Sequence, residues 1–335
     1  MESLGNRPSL PQRGQRFRTK LEVLSSILES LAFFASEDPD GLDVKMLDTV
    51  ISEMTEAFRA FKPFRDRRKL TMFGSARTRP SEPLYQVARE LAEKVAQQGW
   101  MVVTGAGPGI MAAGIEGAGK ENSFGVNIRL PHEQQPNAFL AQDPKLVEMR
   151  YFFTRKLMLI KESDGYVVLP GGFGTQDEVF ELLTLIQTGK AEPAPVVLLD
   201  VDGDNYWDEW LRFVRQAVSS RGYVSPDDLG LINRAESAEK ALKIVMDFYS
   251  NYQSLRWIKD KLVLRVKRVP SSKELETLNS MYGDILAHGL ITVSDPFKVE
   301  ILENDNLEFG RVVLAFDKSH YGRLHELILS LNSIR

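Results

Sequence analysis

Residues Pro170 to Glu178, PGGFGTQDE, place three glycines, a threonine and a glutamate at the end of the apolar run GYVVLP. Bare amides at a helix start bind anions well, because the helix dipole is positive there. This pattern predicts a phosphate site made by Gly171, Gly172, Gly174 and Thr175. Glu178 would lie one turn further and could face the same ligand. The alternative is an ordinary helix N-terminal acid that the dipole stabilises.

A second glycine-rich turn, TGAGPGIM from Thr104 to Met111, also joins a predicted strand to a predicted helix. Gly105, Gly107 and Gly109 could let a phosphate approach the helix amides, or they could serve only the sterics of the turn. Its G-x-G-x-G spacing differs from the dinucleotide fingerprint, and the following strand SFGVNI does not end in an acid. NAD is therefore disfavoured.

The segment GIEGAGKE, Gly114 to Glu121, satisfies the P-loop pattern only in part. It offers Glu121 where a metal-binding Ser or Thr belongs, and it falls inside a predicted helix instead of directly after a strand. We do not interpret it as a P-loop.

Two adjacent cations, Arg155 and Lys156, end the motif YFFTRK in a predicted helix. Successive helical residues point about 100° apart, so the two side chains cannot serve one small site equally. We expect one to face a ligand and the other to pack or pair elsewhere. In the alternative interpretation, both are solvated helix cations.

The composition is that of an ordinary globular protein: 335 residues, 43% apolar and 26% charged. A formal charge of -4 gives no general attraction to nucleic acid or anionic lipid, although the first 20 residues contain five cations. We interpret these residues, Arg7, Arg13, Arg16, Arg18 and Lys20, as part of a solvated flexible tail. No apolar run reaches the roughly 20 residues that span a bilayer. The absence of cysteine fits a reducing compartment, and we expect a cytoplasmic protein.

No metal or cofactor is expected from the sequence. Without cysteine there is no thiolate ligand, and the four histidines show no metal-ligand spacing. They are His132, His288, His320 and His325.

Short apolar runs alternate with helical patterns from about residue 68, which predicts a doubly wound, Rossmann-like parallel sheet of the α/β class. The predicted strands are LTMFGS, WMVVTG, SFGVNI, GYVVLP and APVVLLD. The predicted helices cover roughly 83–98, 108–120, 145–163, 175–189, 205–220 and 238–253. Ligands bind beyond the carboxyl ends of such strands, so the loops after Phe73, Thr104, Ile128 and Leu169 are the candidates.

Both ends of the chain carry additional elements. Residues 1–66 are predicted to form a basic tail and two amphipathic helices, and residues 67–254 the nucleotide-binding domain. Residues 255–335 should form a small α+β domain, in which KLVLRVKR is a half-exposed strand and Ser271 and Glu274 form a helix capping box. ITVSD, KVEILEN and RVVLAFD precede a final helix. This domain could be regulatory or could mediate oligomerisation.

Five motifs together resemble the LOG family, once described as lysine decarboxylase-like. They are FGSAR, TGAGPGIM, GVNIRLP, FFTRK and PGGFGTQDE, in this order within about residues 68–250. The chain looks like a larger, bacterial-type member with extra segments at both ends. The resemblance implies a phosphoribohydrolase that cuts the N-glycosidic bond of a nucleoside 5'-monophosphate, with a site near a dimer interface.

Residue by residue, the resemblance implies that Arg155 and Glu178 are the catalytic pair. It implies a substrate- or phosphate-binding set around them. This set is Gly74, Ser75, Gly105, Gly107, Gly109, Lys156, Gly171, Gly172, Gly174 and Thr175. It also implies that no cofactor takes part and that the protein forms a homodimer or higher homo-oligomer.

The departures from the family pattern fall on the base side of the site. Phe152 stands where plant cytokinin-activating members usually have methionine, GSAR replaces the frequent G-S-S, and Ala112 replaces the acid that often follows the methionine of TGAGPGIM. AMP or another purine monophosphate is therefore the expected substrate, with a cytokinin riboside monophosphate as a narrower possibility. The alternative is a protein of the same fold that binds a phosphorylated ligand without cutting it. A decarboxylase with Lys156 as a pyridoxal phosphate Schiff base is disfavoured, because no acid is arranged for the pyridinium nitrogen.

Overall fold

Seven short strands form one parallel sheet in the computed structural model, which describes residues 20–129 and 143–334. The strands are β1 (Lys69–Phe73), β2 (Met101–Thr104), β3 (Ser123–Ile128), β4 (Leu146–Met149), β5 (Gly165–Val168), β6 (Val196–Leu199) and β7 (Ile232–Ala235). Their order in the sheet is β4-β3-β2-β1-β5-β6-β7. The predictions for the basic tail before Lys20, for His132 and for the end of GVNIRLP lie outside the described residues.

Helices cover both faces of this sheet. They include α3 (Pro83–Gln97), α4 (Ile110–Ala118), α5 (Phe152–Lys161), α6 (Phe173–Gln187), α7 (Tyr206–Phe213) and α8 (Ala238–Phe248). Two helices, α1 (Lys20–Ser36) and α2 (Gly41–Phe61), come before β1 in the chain. Leu91 of α3, Ile110 of α4 and Val245 of α8 are buried in the core of one face. Met158 of α5, Val179 of α6 and Trp207 of α7 are buried in the core of the other. The prediction of a Rossmann-like, doubly wound α/β fold is confirmed.

The strand order creates one switch point, at β1. This strand pairs with β2 on one side and with β5 on the other. The loop after β1 leads to α3 and the loop after β5 leads to α6, and these helices cover opposite faces. Loops that diverge in this way leave a crevice at the carboxyl edge of the sheet.

A second, antiparallel sheet follows α8. It contains β8 (Tyr252–Ile258), β9 (Lys261–Val266), β10 (Leu286–Ser294) and β11 (Gly310–Phe316), in the order β10-β11-β9-β8. Its helices are α9 (Ser272–Tyr282), α10 (Lys298–Glu303) and α11 (Tyr321–Ser333). The Ser271 and Glu274 capping box at the start of α9 is confirmed. The small α+β region is therefore present as predicted.

Division of the chain by contacts gives two compact units, the first ending at Ser52 and the second running from Glu53 to the C-terminus. In the first unit, α1 has no buried residue. No helix among the described residues is long and apolar enough to cross a membrane.

Two helix predictions need correction. The predicted helix 145–163 is strand β4 followed by α5, because Val147 and Met149 alternate into the core while β4 pairs with β3. The predicted helix 238–253 ends at Phe248, and β8 begins at Tyr252 to pair with β9. KVEILEN contains helix α10, whereas ITVSD and RVVLAFD lie in strands β10 and β11.

Candidate active site

A cavity of about 840 Å³ opens at the switch point, between the carboxyl ends of β1 and β5. The loop Gly74–Arg77 forms one side, and the glycine-rich stretch Gly171–Thr175 forms another. Arg155 and Glu178 also line this cavity. The fold therefore brings the two residues of the expected catalytic pair to the crevice where this class of sheet binds ligands.

The PGGFGTQDE stretch folds as the start of helix α6, with Gly172 as the residue before its first turn. No side chain of the described residues caps this helix end, so its first amides remain available to an anion. A Cβ at Gly172 or Gly174 would meet no atom within 4 Å, and both residues line the cavity. Thr175 is buried at the same turn. The arrangement can hold a phosphate.

Glu178 is buried on the first turns of α6, at the wall of the cavity. Burial raises the pKa of Glu178, and the positive charges of Lys156 and Arg155 oppose this rise. Among the described residues, its Oε2 atom has no hydrogen-bond partner. A buried carboxylate oxygen without a donor is costly, and a ligand hydroxyl or a water would relieve that cost.

Lys156 pairs with acids of α6 and does not line the cavity. Its Nζ lies 2.8 Å from Asp177, 2.5 Å from Glu181 and 3.6 Å from Glu178. Burial by itself would lower the pKa of Lys156, but the bonds to Asp177 and Glu181 raise it overall. Lys156 therefore links helices α5 and α6 through ion pairs.

Arg155 points into the cavity, so the two cations divide in the way the helical geometry predicted. Its Nε donates to the carbonyl of Val126 at 2.9 Å, and Nη2 donates to the carbonyl of Gly105 at 3.5 Å. A Cβ on Gly105 would lie 1.9 Å from Nη2, so only glycine leaves room for the guanidinium. Gly105 thus serves Arg155 through close approach.

The other predicted binding residues divide between the cavity and its support. Gly74 and Ser75 line the cavity, whereas Gly107 and Gly109 are not among its lining residues. Gly109 has a φ of 66°, and a Cβ there would lie 2.3 Å from the carbonyl oxygen of Ser75. The carbonyl of Ser75 accepts from Ile110 at 3.0 Å, and its amide donates to Pro170 at 3.1 Å. Gly109 therefore allows the three loops to approach one another closely.

Two contributors were not predicted from the sequence. The Tyr206 hydroxyl donates to the carbonyl of Gly171 and accepts from Gln176 at 2.7 Å, which fixes the glycine-rich loop before α6 against α7. Glu181 holds Lys156, as described above. The i, i+3 spacing of Glu178 and Glu181 could have indicated a shared helix face. No motif marked Tyr206. Among the described residues, no group of three or more His, Asp or Glu side chains could hold a metal ion.

Replacing Lys156 with methionine should move the acid limb of the pH–rate profile to higher pH. The ammonium lowers the pKa of Glu178, so its loss raises the pH at which that carboxyl ionises. The limb should be followed in kcat/KM for the nucleotide hydrolysis that the resemblance to the LOG family implies. Lys161→Met is the matched control, because Lys161 lies on the same helix and pairs with Glu162 instead. An unchanged acid limb in Lys156→Met would contradict this role.

Comparison with known proteins gives matches to a family model and to curated relatives. The family model described as "Possible lysine decarboxylase" matches residues 108–245. The cytokinin riboside 5'-monophosphate phosphoribohydrolase LOG1 of Arabidopsis thaliana is 36% identical over 101 residues, which are 30% of this chain and 46% of the relative. The probable phosphoribohydrolase LOGL5 of Oryza sativa subsp. japonica is 33% identical over 166 residues, or 47% of this chain and 63% of the relative. These alignments thus span about half of the length of the curated relatives.

Solved structures with a similar chain trace include two molybdenum cofactor proteins. The binding protein from Rippkaea orientalis is 21% identical with a TM-score of 0.40, covering 54% of this chain and 96% of that one. The carrier protein from Chlamydomonas reinhardtii is 23% identical with a TM-score of 0.39, over 54% of this chain and 96% of that one.

The parallel sheet, its switch-point cavity and the uncapped start of α6 beside that cavity define a Rossmann-like α/β protein. Within that class, the family model and the curated relatives confirm the resemblance to the LOG family that the five motifs carried.

Proposed function

We propose that the protein is a phosphoribohydrolase that cleaves the N-glycosidic bond of a purine nucleoside 5'-monophosphate. The observation that carries this proposal is the buried Glu178 carboxylate. One of its oxygens has no hydrogen-bond donor among the described residues. Glu178 lies on α6, the helix whose uncapped first amides can hold a phosphate. A ribose 5-phosphate group carries hydroxyls at one end and a phosphate at the other, so its hydroxyls could contact Glu178 while its phosphate binds the amides at the start of α6.

Phosphate binding would position the substrate. The amides of Gly172 to Thr175 and the Thr175 hydroxyl would hold the 5'-phosphate against the positive end of α6. Binding energy from this remote group would orient the C1' carbon beside Glu178. Tyr206 would keep the loop in place through the Gly171 carbonyl.

Bond cleavage would pass through an oxocarbenium-like ribosyl cation. The C1'–N bond breaks and its electron pair leaves with the base, which takes up a proton. A water oxygen then bonds to C1' and releases a proton, giving the free base and ribose 5-phosphate. The ionised Glu178 would stabilise the positive sugar or orient the water through the ribose hydroxyls. Arg155, fixed by the carbonyls of Val126 and Gly105, would clamp the phosphate or the ribose.

The base would lie toward the outer part of the cavity. Phe152 and Met111 line it, and the side chain of Phe173 at its mouth is 95% exposed. Apolar surface of this kind suits the face of a purine, and it also fits the proposal that a second copy of the chain completes the mouth in a homodimer. The curated relatives are named for cytokinin riboside 5'-monophosphates. For this chain we propose AMP or another purine monophosphate.

The proposal can be tested by incubating the purified protein with AMP, GMP, IMP, CMP, UMP and a cytokinin riboside 5'-monophosphate, and measuring free base by chromatography. Adenosine is the matched control, because it lacks the phosphate that α6 would hold. Release of base from AMP but not from adenosine is the expected result. AMP that binds without any release of base would instead identify a nucleotide sensor or carrier.

A lysine decarboxylase activity is less compatible with the observed site. A Schiff base needs a neutral lysine amine, whereas Lys156 is held by three carboxylates that favour its charged form. Lys156 is also not among the residues that line the cavity. Incubation with lysine and pyridoxal phosphate should therefore give no amine product.

A further inference from the structure

One charged side chain of the candidate active site has no partner. Four charged side chains line the cavity at the switch point, and they are Arg77, Arg155, Asp177 and Glu178. Asp177 pairs with Lys156 at 2.8 Å, and Glu178 lies 3.6 Å from the same ammonium. Arg155 donates to two backbone carbonyls. By contrast, the guanidinium of Arg77 makes no hydrogen bond or ion pair among the described residues.

The loop after β1 brings Arg77 to the glycine-rich stretch before α6. The amide of Ser75 donates to the carbonyl of Pro170 at 3.1 Å. A Cβ at Gly171 would lie 3.0 Å from the same amide nitrogen, so the two loops are in direct contact. The amide of Arg77 in turn donates to the hydroxyl of Ser75 at 3.1 Å, which fixes the backbone of Arg77 close to that contact. The long side chain of Arg77 therefore starts beside the loop that leads into α6, and it lines the cavity.

The loop of Arg77 and the start of α6 both offer hydrogen-bond donors to a ligand. The first turn of α6 presents backbone amides that no side chain of the described residues caps. Arg77 adds a full positive charge and up to five N–H groups, and a guanidinium accepts no hydrogen bond. An anion with several oxygens satisfies donors on both loops at once. Phosphate is such an anion, and a guanidinium can bind two of its oxygens in a planar, bidentate arrangement.

The charge of Arg155 is already balanced. Glu178 favours the charged form of Arg155, against burial, which lowers the pKa of this guanidinium. Its Nε and Nη2 atoms are held by the carbonyls of Val126 and Gly105. A phosphate would bring up to two further negative charges into the cavity that Glu178 lines, and like charges repel strongly where water is excluded. A second cation is therefore needed, and Arg77 is the lining residue that can supply it.

We propose that Arg77 binds the 5'-phosphate of the substrate from the loop after β1, while the amides of α6 bind it from the other loop. In this assignment Arg77 determines specificity for a nucleotide over a nucleoside, and Arg155 remains beside Glu178 to contact the ribose. The identity of the ligand rests on the proposed hydrolase function. Phosphate binding itself can be measured without turnover, so the two can be tested separately.

Isothermal titration calorimetry of the full chain with ribose 5-phosphate tests the contact. Arg77→Met should weaken binding by about tenfold or more, because it removes a charge-assisted, bidentate contact. Arg77→Lys keeps the charge but loses the planar fork. Its affinity should therefore fall between those of Arg77→Met and the unchanged protein.

Arg79→Met is the matched control. Arg79 is exposed two residues further along the same chain segment and does not line the cavity, so this variant should bind ribose 5-phosphate normally. Thermal melting of each variant verifies that it is folded. Equal binding by Arg77→Met and the unchanged protein would overturn the proposal, and so would equal losses in Arg77→Met and Arg79→Met. It is also overturned if the unchanged protein does not bind ribose 5-phosphate.

Steady-state kinetics with AMP separate the binding of phosphate from the chemical step. Arg77→Met should raise KM by about tenfold or more and change kcat by less than about threefold, since the contact to the phosphate is made before and during the reaction. A loss confined to kcat, or hydrolysis of AMP with an unchanged KM, would refute the role of Arg77 and leave the hydrolase function standing. If no base is released but binding of ribose 5-phosphate depends on Arg77, the hydrolase function fails and the role of Arg77 stands.

Discussion

Replacing Glu178 with glutamine should lower the turnover of nucleoside monophosphate by about 10³-fold. Glutamine keeps the size and shape of the side chain but carries no charge to stabilise a ribosyl cation. The open amides at the start of α6 are untouched, so nucleotide binding should remain measurable. The comparison requires kcat from base release and Kd from calorimetry with the same nucleotide.

Glu181→Gln is the matched control for this variant. It makes the same chemical change on the same helix, about one turn further on, at a residue that does not line the candidate active site. Glu181→Gln removes one of the carboxylates that pair with Lys156, and its effect on kcat should stay below about tenfold. Full activity of Glu178→Gln would remove the assigned role of this carboxylate. Equal losses in both variants would mean that the cluster acts only as a structural unit.

The parallel sheet was predictable because its strands are buried on both faces. Continuous apolar runs such as MVVT at β2 and VVLL at β6 are typical of that environment. The short edge strand β4 was missed because LVEM is only four residues long and fits helical and extended patterns equally. Strand β8, YQSLRWI, mixes polar and apolar residues on a half-exposed edge, and no glycine or proline separates it from α8.

The C-terminal region shows why buried charges escape sequence interpretation. Glu300 is fully buried in α10, where its carboxylate accepts from Arg265 at 2.8 Å and from the backbone of Phe297 at 3.1 Å. Nothing in the sequence distinguishes Glu300 from a solvated acid. Only the assembled fold brings these donors together, because Arg265 lies 35 positions away along the chain.

The candidate site was predictable only in part, because its local geometry follows from the sequence whereas its charge pairs depend on the assembled fold. Local geometry predicted that Arg155 and Lys156 would diverge, and the order of motifs predicted that their loops would converge at the carboxyl edge of the sheet. Neither the helical geometry nor the order of motifs predicted which of the two cations would face the cavity. That choice depends on the acids of α6, which hold Lys156, and on the space that Gly105 leaves for Arg155.

Replacing Arg155 with lysine should reduce kcat/KM by about 10²-fold. Lysine keeps the positive charge but loses the planar fork, so it cannot donate to both Val126 and Gly105 while it faces a ligand. The loss should appear in steady-state hydrolysis of AMP. Arg129→Lys is the matched control, because Arg129 is exposed and pairs with Glu148 away from the cavity. It should behave like the unchanged protein.

Gly105→Ala should displace the Arg155 guanidinium without changing Arg155 itself. Its methyl group would occupy the position of the Arg155 guanidinium, so it should reduce kcat/KM about as much as Arg155→Lys without altering any charged residue. If both substitutions act by misplacing one guanidinium, their effects should not add in the double variant. Additive losses would mean that Gly105 serves the substrate directly, as a phosphate-binding amide would. Full activity of Arg155→Lys would show that only the charge of Arg155 matters.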